Sequence, residues 1–169
     1  MPELVASALP EGELLLGRFR LGPQLADGAT TSVYKAHDTK LDCPVALKVF
    51  DPIRSVDPLS RRRFQREFSI LRQFDHPGVA RALAFEETDN FDVLAREWIE
   101  GELLQDRLRR PVDAETARMI FIQLADTVEA VHNHGVIHRD LKPANIVLHP
   151  ERGPVVLDFG VAWFTSAMS

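Results

Sequence analysis

One long amphipathic segment, residues 113–134, most limits the folds that this chain can adopt. Its apolar residues recur at helical spacing and form one continuous stripe: Ala117, Ile120, Phe121, Leu124, Val128 and Val131. Asp113 is a suitable N-cap and Gly135 a suitable stop. Because the segments before residue 100 mostly have strand spacing, the sequence predicts an α+β protein, with a β-rich half followed by a helical half.

The clearest strand of the first half is Val45–Phe50. Its alternation places Ala46, Lys48 and Phe50 on one face and the remaining apolar residues on the other. Shorter strand patterns occur at residues 18–21, 32–36, 79–85 and 91–95. The pattern predicts a sheet that presents the lysine from a rigid strand.

A helix is predicted over residues 59–74, where Phe64, Phe68 and Leu71 share one face. Glu67 lies on that same face. A carboxylate turned toward an apolar core is costly unless a cation pairs with it, and Lys48 is the natural partner. The sequence therefore predicts an ion pair between the lysine of the strand and the glutamate of the helix.

Composition limits the class of protein more than its chemistry. The chain has 169 residues, a formal charge of −5 and one cysteine, Cys43. These values favour a cytoplasmic protein, without a membrane segment or a nucleic-acid partner, and leave the oligomeric state open. Residues 1–17, acidic and rich in small residues, are predicted to be a flexible leader.

Three short motifs occur along the chain in this order: Val45-Ala46-Leu47-Lys48, then His138-Arg139-Asp140-Leu141-Lys142-Pro143-Ala144-Asn145, then Asp158-Phe159-Gly160. Together they resemble the strand, catalytic-loop and metal-binding motifs of the protein kinase superfamily, in particular the bacterial-type Ser/Thr protein kinases. The resemblance implies a two-lobed kinase domain over residues 18–169. It places a complete β-rich N-lobe at about 18–97 and an incomplete α-rich C-lobe at about 102–169, since the chain stops shortly after Gly160.

The resemblance also implies ATP and Mg²⁺ as cofactors and a protein Ser/Thr hydroxyl as acceptor. It assigns the catalytic roles to Lys48, Glu67, Asp140 and Lys142, and the metal-binding roles to Asn145 and Asp158. Asp140 would accept or orient the proton of the hydroxyl, and Lys142 would contact the γ-phosphate. The expected nucleotide-binding residues are Ala26, Gly28, Val33, Ala46, Lys48, Glu97, Ile99 and Val147.

Two regions depart from the kinase pattern, the glycine-rich loop and the gatekeeper position. In the glycine-rich loop only Gly28 remains, because Ala26 and Thr31 occupy the other two glycine positions. Thr31 adds bulk where a close approach to phosphates favours glycine, so we expect weakened ATP binding. Arg96 occupies the gatekeeper position, where a medium-sized apolar residue or threonine is usual.

Two other functions compete with protein phosphorylation. The chain could be a catalytically impaired, pseudokinase-like module that binds nucleotide or acts as a scaffold. It could also be a small-molecule kinase of the aminoglycoside-phosphotransferase type, which Arg139 and Lys142 disfavour. A zinc site at His132, His134 and His138 is disfavoured because these residues cross a helix end and share no face.

Overall fold

The computed structural model describes residues 9–55, 57, 59–160 and 162–164. The chain divides into two compact units, one formed by the residues up to Phe68 with Ala82–Trp98, the other by Ser69–Arg81 with the residues from Ile99 onward. The first unit contains β1 (Leu14–Leu15), β2 (Phe19–Asp27), β3 (Thr31–Asp38), β4 (Cys43–Phe50), β5 (Ala82–Glu87) and β6 (Asp92–Glu97). Helix α1 (Leu59–Leu71) begins in this unit.

The six strands of the first unit form one antiparallel sheet in the order β1-β2-β3-β4-β6-β5. One face carries the apolar core, in which Leu47 is fully buried with its cross-strand neighbour Ala95. The other face of β4 packs against α1, where the rings of Phe50 and Phe64 stack at 5.6 Å between centroids. The alternation predicted for residues 45–50 is therefore observed, with α1 covering the face that carries Lys48.

The expectation of a flexible leader over residues 1–17 fails for its second half. Leu14 and Leu15 form β1 and pair with β2, and Leu15 is buried in the core of the sheet. Leu9 donates its backbone N–H to the hydroxyl of Tyr34. The segment is ordered despite its acidic composition, because the free energy gained by burying a leucine offsets the conformational entropy lost in ordering a short segment. Residues 1–8 lie outside the described part.

An acidic residue at the end of β3 fixes the turn into β4. Asp38 is fully buried and accepts hydrogen bonds from Arg18 Nε at 2.9 Å and Nη2 at 2.7 Å. The backbone N–H groups of Lys40 and Leu41 donate to the same carboxylate. Burial by itself raises the pKa of Asp38, but the Arg18 and backbone hydrogen bonds outweigh it and hold the pKa below its ordinary value.

The second unit contains β7 (Glu102–Leu103), α2 (Leu104–Arg107), α3 (Ala114–Asn133), β8 (Val136–Ile137), β9 (Ile146–His149), β10 (Gly153–Val156) and β11 (Trp163–Phe164). Helix α3 confirms the predicted long helix: Asp113 caps it by accepting from Thr116 N–H at 2.8 Å, and Gly135 follows it with a φ of 69°. The strands form two small antiparallel sheets, β10-β9-β7 and β11-β8.

Residues 77–80 lie along the β9–β10 hairpin and hold it against α3. Val156 donates its N–H to Gly78 O at 2.8 Å and accepts from Ala80 N–H at 3.0 Å. A side chain at Gly78 would meet Thr127 of α3, whose Oγ1 lies 2.0 Å from an ideal Cβ. Gly78 is therefore required by close approach, and the hairpin is tied to the long helix at this point.

No helix among the described residues is long and apolar enough to span a bilayer. The β-rich first unit and the second unit with its long helix agree with the α+β class that the sequence predicts.

Candidate functional site

The site residues of the first unit lie on the face of the sheet that carries Lys48. Val33 on β3 is the direct cross-strand partner of Lys48, and Ala26 on β2 is the partner of Val33. Ala46 lies two residues from Lys48, on the same side of β4. The sheet thus brings four of the expected nucleotide-binding residues to one face.

Lys48 and Glu67 form the ion pair that their positions predict. Lys48 Nζ donates to Glu67 Oε2 at 2.7 Å, and the side chains are only 9% and 1% exposed. Strand β4 and helix α1 are joined at the same level by the stacked rings of Phe50 and Phe64. The contact with Glu67 therefore holds the ammonium group where helix α1 packs on the sheet.

Arg96 and Glu97 end the inner strand β6 beside this face. Arg96 is the cross-strand partner of Ala46 and is 7% exposed, and Glu97 is the partner of Val45. A large cation therefore lies next to the small side chain of Ala46. The gatekeeper position is buried and carries a charge instead of apolar surface.

The loop between β2 and β3 has a partner that sequence analysis missed. Gly28 N–H donates to Thr31 O at 2.8 Å, which closes the tip of the loop. Arg54, from the short 3₁₀ turn Pro52–Arg54, reaches the same tip and donates to Asp27 and to Gly28 O. No periodic pattern marks Arg54, since its partners lie in a distant part of the sequence.

In the second unit, Asp140 is the centre of a group of polar side chains. Lys142 Nζ donates to Asp140 Oδ2 at 2.5 Å, and Asn145 Nδ2 donates to Asp140 O at 3.1 Å. Asn145 Nδ2 also lies 3.3 Å from Asp140 Oδ2. These contacts aim the carboxylate while leaving it half-exposed, and ionised it can accept a further hydrogen bond from a hydroxyl.

The β9–β10 hairpin brings Asn145 and Asp158 to the same end. Ile146 pairs with Val156 at the end of the ladder, and Leu157 N–H donates to Asn145 O at 2.9 Å just beyond it. Asp158 follows directly and accepts from Gly160 N–H at 2.8 Å. Because Asn145 Nδ2 is hydrogen-bonded to Asp140, Oδ1 is the atom of this side chain that could ligate a metal. One amide and one carboxylate oxygen are a donor set that fits Mg²⁺.

Aromatic packing holds the segment that carries Asp158. The ring of Phe159, which is 1% exposed, lies 4.6 Å from that of His138 and 5.8 Å from that of Phe74. His138 Nδ1 accepts from Asp140 N–H at 3.2 Å. Burial lowers the pKa of His138 below its ordinary value, against the opposing effect of the Asp158 carboxylate. The imidazole is therefore a neutral packing and hydrogen-bonding group.

Two further expected nucleotide-binding residues pack together in the second unit. Ile99 and Val147 are 7% and 6% exposed and belong to one apolar cluster with Ala80 and Val155.

His132 and His134 lie at the exposed end of α3, where His134 Nδ1 is 2.8 Å from Ala130 O. Within the described residues, no group of three or more histidine, cysteine or acidic side chains is arranged to hold a metal.

Comparison with known proteins identifies a single family. The sequence pattern of the protein kinase domain matches residues 19–169. The serine/threonine-protein kinase pkn2 of Myxococcus xanthus is 36% identical over 157 residues, which cover 90% of this chain and 19% of the relative. A probable serine/threonine-protein kinase of Streptomyces coelicolor is 33% identical over 160 residues, covering 91% of this chain and 24% of the relative.

A plant protein is similar to the same extent. The CBL-interacting protein kinase 19 of Oryza sativa is 35% identical over 152 residues, which cover 89% of this chain. The chain spans between 19% and 30% of the length of these three relatives.

Proposed function

The chain belongs to the protein kinase family, and on that premise we propose that it transfers the γ-phosphate of ATP to a serine or threonine hydroxyl of a protein. The observation that carries the proposal is the arrangement at Asp140. Its carboxylate contacts Lys142 and Asn145, and the β9–β10 hairpin brings Asp158 to the end where Asn145 lies. Phosphoryl transfer needs this combination of a hydroxyl-orienting carboxylate, a cation and metal-ligating oxygens.

Each proposed role follows from a contact. The half-exposed Asp140 would accept a hydrogen bond from the attacking hydroxyl and orient its oxygen toward phosphorus. Lys142, already beside that carboxylate, would neutralise charge on the γ-phosphate oxygens. Asn145 Oδ1 and Asp158 would hold Mg²⁺, which supplies charge neutralisation to the phosphates when bound.

The first unit would bind the nucleotide. Glu67 holds Lys48 on the sheet face, where the ammonium group would contact the α- and β-phosphates. Ala26, Gly28, Val33, Ala46 and Glu97 are the other residues of this unit that would contact the nucleotide. Ile99 and Val147 are the nucleotide-binding residues proposed in the second unit. The proposed acceptor is a protein and the proposed location is the cytoplasm, in keeping with the single cysteine.

A second function is favoured by two departures from the kinase pattern. Ala26 and Thr31 replace glycines at positions where backbone amides would approach phosphates, and Arg96 places a cation beside Ala46. A nucleotide-binding or scaffold module would keep the ion pair and the hairpin while having lost turnover.

Transfer of labelled γ-phosphate to dephosphorylated casein, a serine-rich acceptor, separates the two functions. We expect Mg²⁺-dependent labelling by the chain and, for Asp140→Asn, a loss of about 10²- to 10⁴-fold in rate, with ATP affinity changed less than about twofold. Asparagine keeps the oxygen that accepts from Lys142 but cannot take up a proton.

Two outcomes would contradict the kinase assignment. ATP binding without labelling would favour the scaffold function. If the Asp140→Asn variant labels casein at the same rate as the unchanged chain, Asp140 is not the orienting carboxylate. Asp126→Asn on the exposed side of α3 is the matched control for loss of one carboxylate.

A further inference from the structure

The tip of the β2–β3 loop is held by a guanidinium group. Arg54 Nη1 donates to Asp27 Oδ1 at 2.8 Å and to Ser32 Oγ at 3.2 Å, while Nη2 donates to Gly28 O at 2.7 Å. Ser32 Oγ in turn donates to Asp27 Oδ1 at 2.9 Å. One arginine thus binds a carboxylate, a hydroxyl and a backbone carbonyl on both sides of the loop.

The segment that carries Arg54 is itself anchored to the loop. Asp51 donates its backbone N–H to Thr30 O at 3.0 Å, and its carboxylate caps the 3₁₀ turn by accepting from Ile53 N–H at 2.8 Å. The segment that follows β4 therefore holds the loop through Asp51, which bonds Thr30, and through Arg54. The conformation of the loop is set by the residues that follow Lys48 along the chain.

This support acts where the loop has lost its usual residues. A glycine-rich loop can bring its amides to phosphates because glycine allows close approach and unusual backbone angles. Here Ala26 and Thr31 reduce that freedom, and an ideal Cβ at Gly28 would lie 3.1 Å from Thr31 O. Because this loop can adopt fewer conformations, it binds phosphates only if other residues hold it in the binding conformation.

We infer that Arg54 is a positioning residue for ATP, which holds the β2–β3 loop in the conformation that receives the triphosphate. The inference rests on the proposed function, because it assigns the phosphates to this loop. Arg54 acts through Asp27 and Gly28 and does not itself touch the nucleotide: its hydrogen bonds are directed to the loop.

A double-mutant cycle on Arg54→Ala and Asp27→Asn tests this role through the affinities for Mg-ATP and for adenosine. We expect each single variant to weaken Mg-ATP binding by about three- to tenfold, the effect of one lost charge-assisted hydrogen bond at the surface. Adenosine, which has no phosphate, should bind within about twofold of the unchanged chain. The double variant should bind no more weakly than Arg54→Ala alone, since Arg54→Ala already removes the contact with Asp27 together with those to Ser32 and Gly28.

The matched control is Arg118→Ala, which removes an exposed arginine paired with Glu115 on α3. It should leave both affinities unchanged. Arg54→Lys should restore part of the ATP affinity, because a lysine can reach Asp27 or Gly28 O but not both.

Three results would overturn the role. Unchanged ATP affinity in Arg54→Ala would show that the loop needs no support from it. A loss with Arg54→Ala, combined with no loss or a gain with Asp27→Asn, would show that the arginine binds phosphate directly. An unchanged chain that binds neither ATP nor adenosine would overturn the proposed function itself, and with it the role of Arg54.

Discussion

Lys48 and Glu67 meet at 2.7 Å with their side chains almost wholly removed from solvent. Burial of an ion pair makes the pair a weak source of net stability but makes the loss of either partner costly, because the other charge stays buried without it. The ion pair therefore contributes more to the positions of the two side chains than to the net stability of the fold. Substitution of Lys48 and substitution of Glu67 should have different effects.

We expect Lys48→Met to abolish the rise in melting temperature that Mg-ATP produces, because the phosphates lose their cation. Lys48→Met and Glu67→Gln should each lower the free energy of unfolding by roughly 3–5 kcal/mol, because each leaves the other charge buried without this partner. Thermal and urea unfolding with and without nucleotide measure both effects. Lys40→Met, at an exposed turn, is the control. A full thermal shift in Lys48→Met would place the phosphates elsewhere.

Asp158→Asn should raise the Mg²⁺ concentration needed for half-maximal ATP binding by about tenfold or more, because a neutral amide is a weaker ligand than a carboxylate. Asparagine retains an oxygen for the N–H of Gly160, so the local fold should persist. Titration of Mg²⁺ at fixed ATP measures the effect. If the Mg²⁺ requirement stays the same, Asp158 is not a ligand.

Acid should weaken the first unit through Asp38. Its folded-state pKa lies below the ordinary value of 3.8, so the unfolded chain takes up a proton more readily than the folded one. The stability from its ion pair with Arg18 is therefore complete above about pH 4 and is lost as the pH falls through the lower, folded pKa.

The measurement is the melting temperature of the chain and of Asp38→Asn between pH 7 and pH 3. The variant should melt lower at pH 7, and the gap should narrow as the pH falls below about 4. A gap of constant size over this range would show that the charge of Asp38 contributes nothing.

Gly78→Ala should destabilise the second unit by about 1–3 kcal/mol, because the added methyl group has no space beside Thr127. Thr127→Ala in the same chain should recover part of the loss, since it removes both the hydroxyl and the methyl group that the new Cβ meets. Urea unfolding of the two single variants and the double variant measures the coupling. Additive losses would place the cause outside this contact.

The sequence permits prediction of the contacts that periodicity controls. The strand face of Lys48 follows from a two-residue repeat and the helix face of Glu67 from a 3.6-residue repeat, and the structure brings these side chains together. The β9–β10 pairing that brings Asn145 and Asp158 to one end of the hairpin was not predicted from the sequence.

Contacts that depend on close approach or on a single distant side chain could not be predicted. Gly78 is placed by the packing of residues 77–80 on α3, which no local pattern encodes. Arg54 lies in a short irregular segment, and its partners Asp27 and Gly28 belong to another loop. The pairing of β1 could not be predicted either, because the acidic residues around Leu15 give no strand pattern, although Leu15 itself is buried in the core.

The tight turn between β9 and β10 affects the positions of Asn145 and Asp158, the two residues proposed to bind Mg²⁺. His149 Nδ1 accepts the N–H groups of Glu151 and Arg152, and this sets which residues of the two strands face one another. A slip of one residue would carry Asp158 about 3.3 Å along its strand direction and turn it to the opposite face. The turn therefore controls, from the far end of the hairpin, the distance between the two residues that we propose as magnesium ligands.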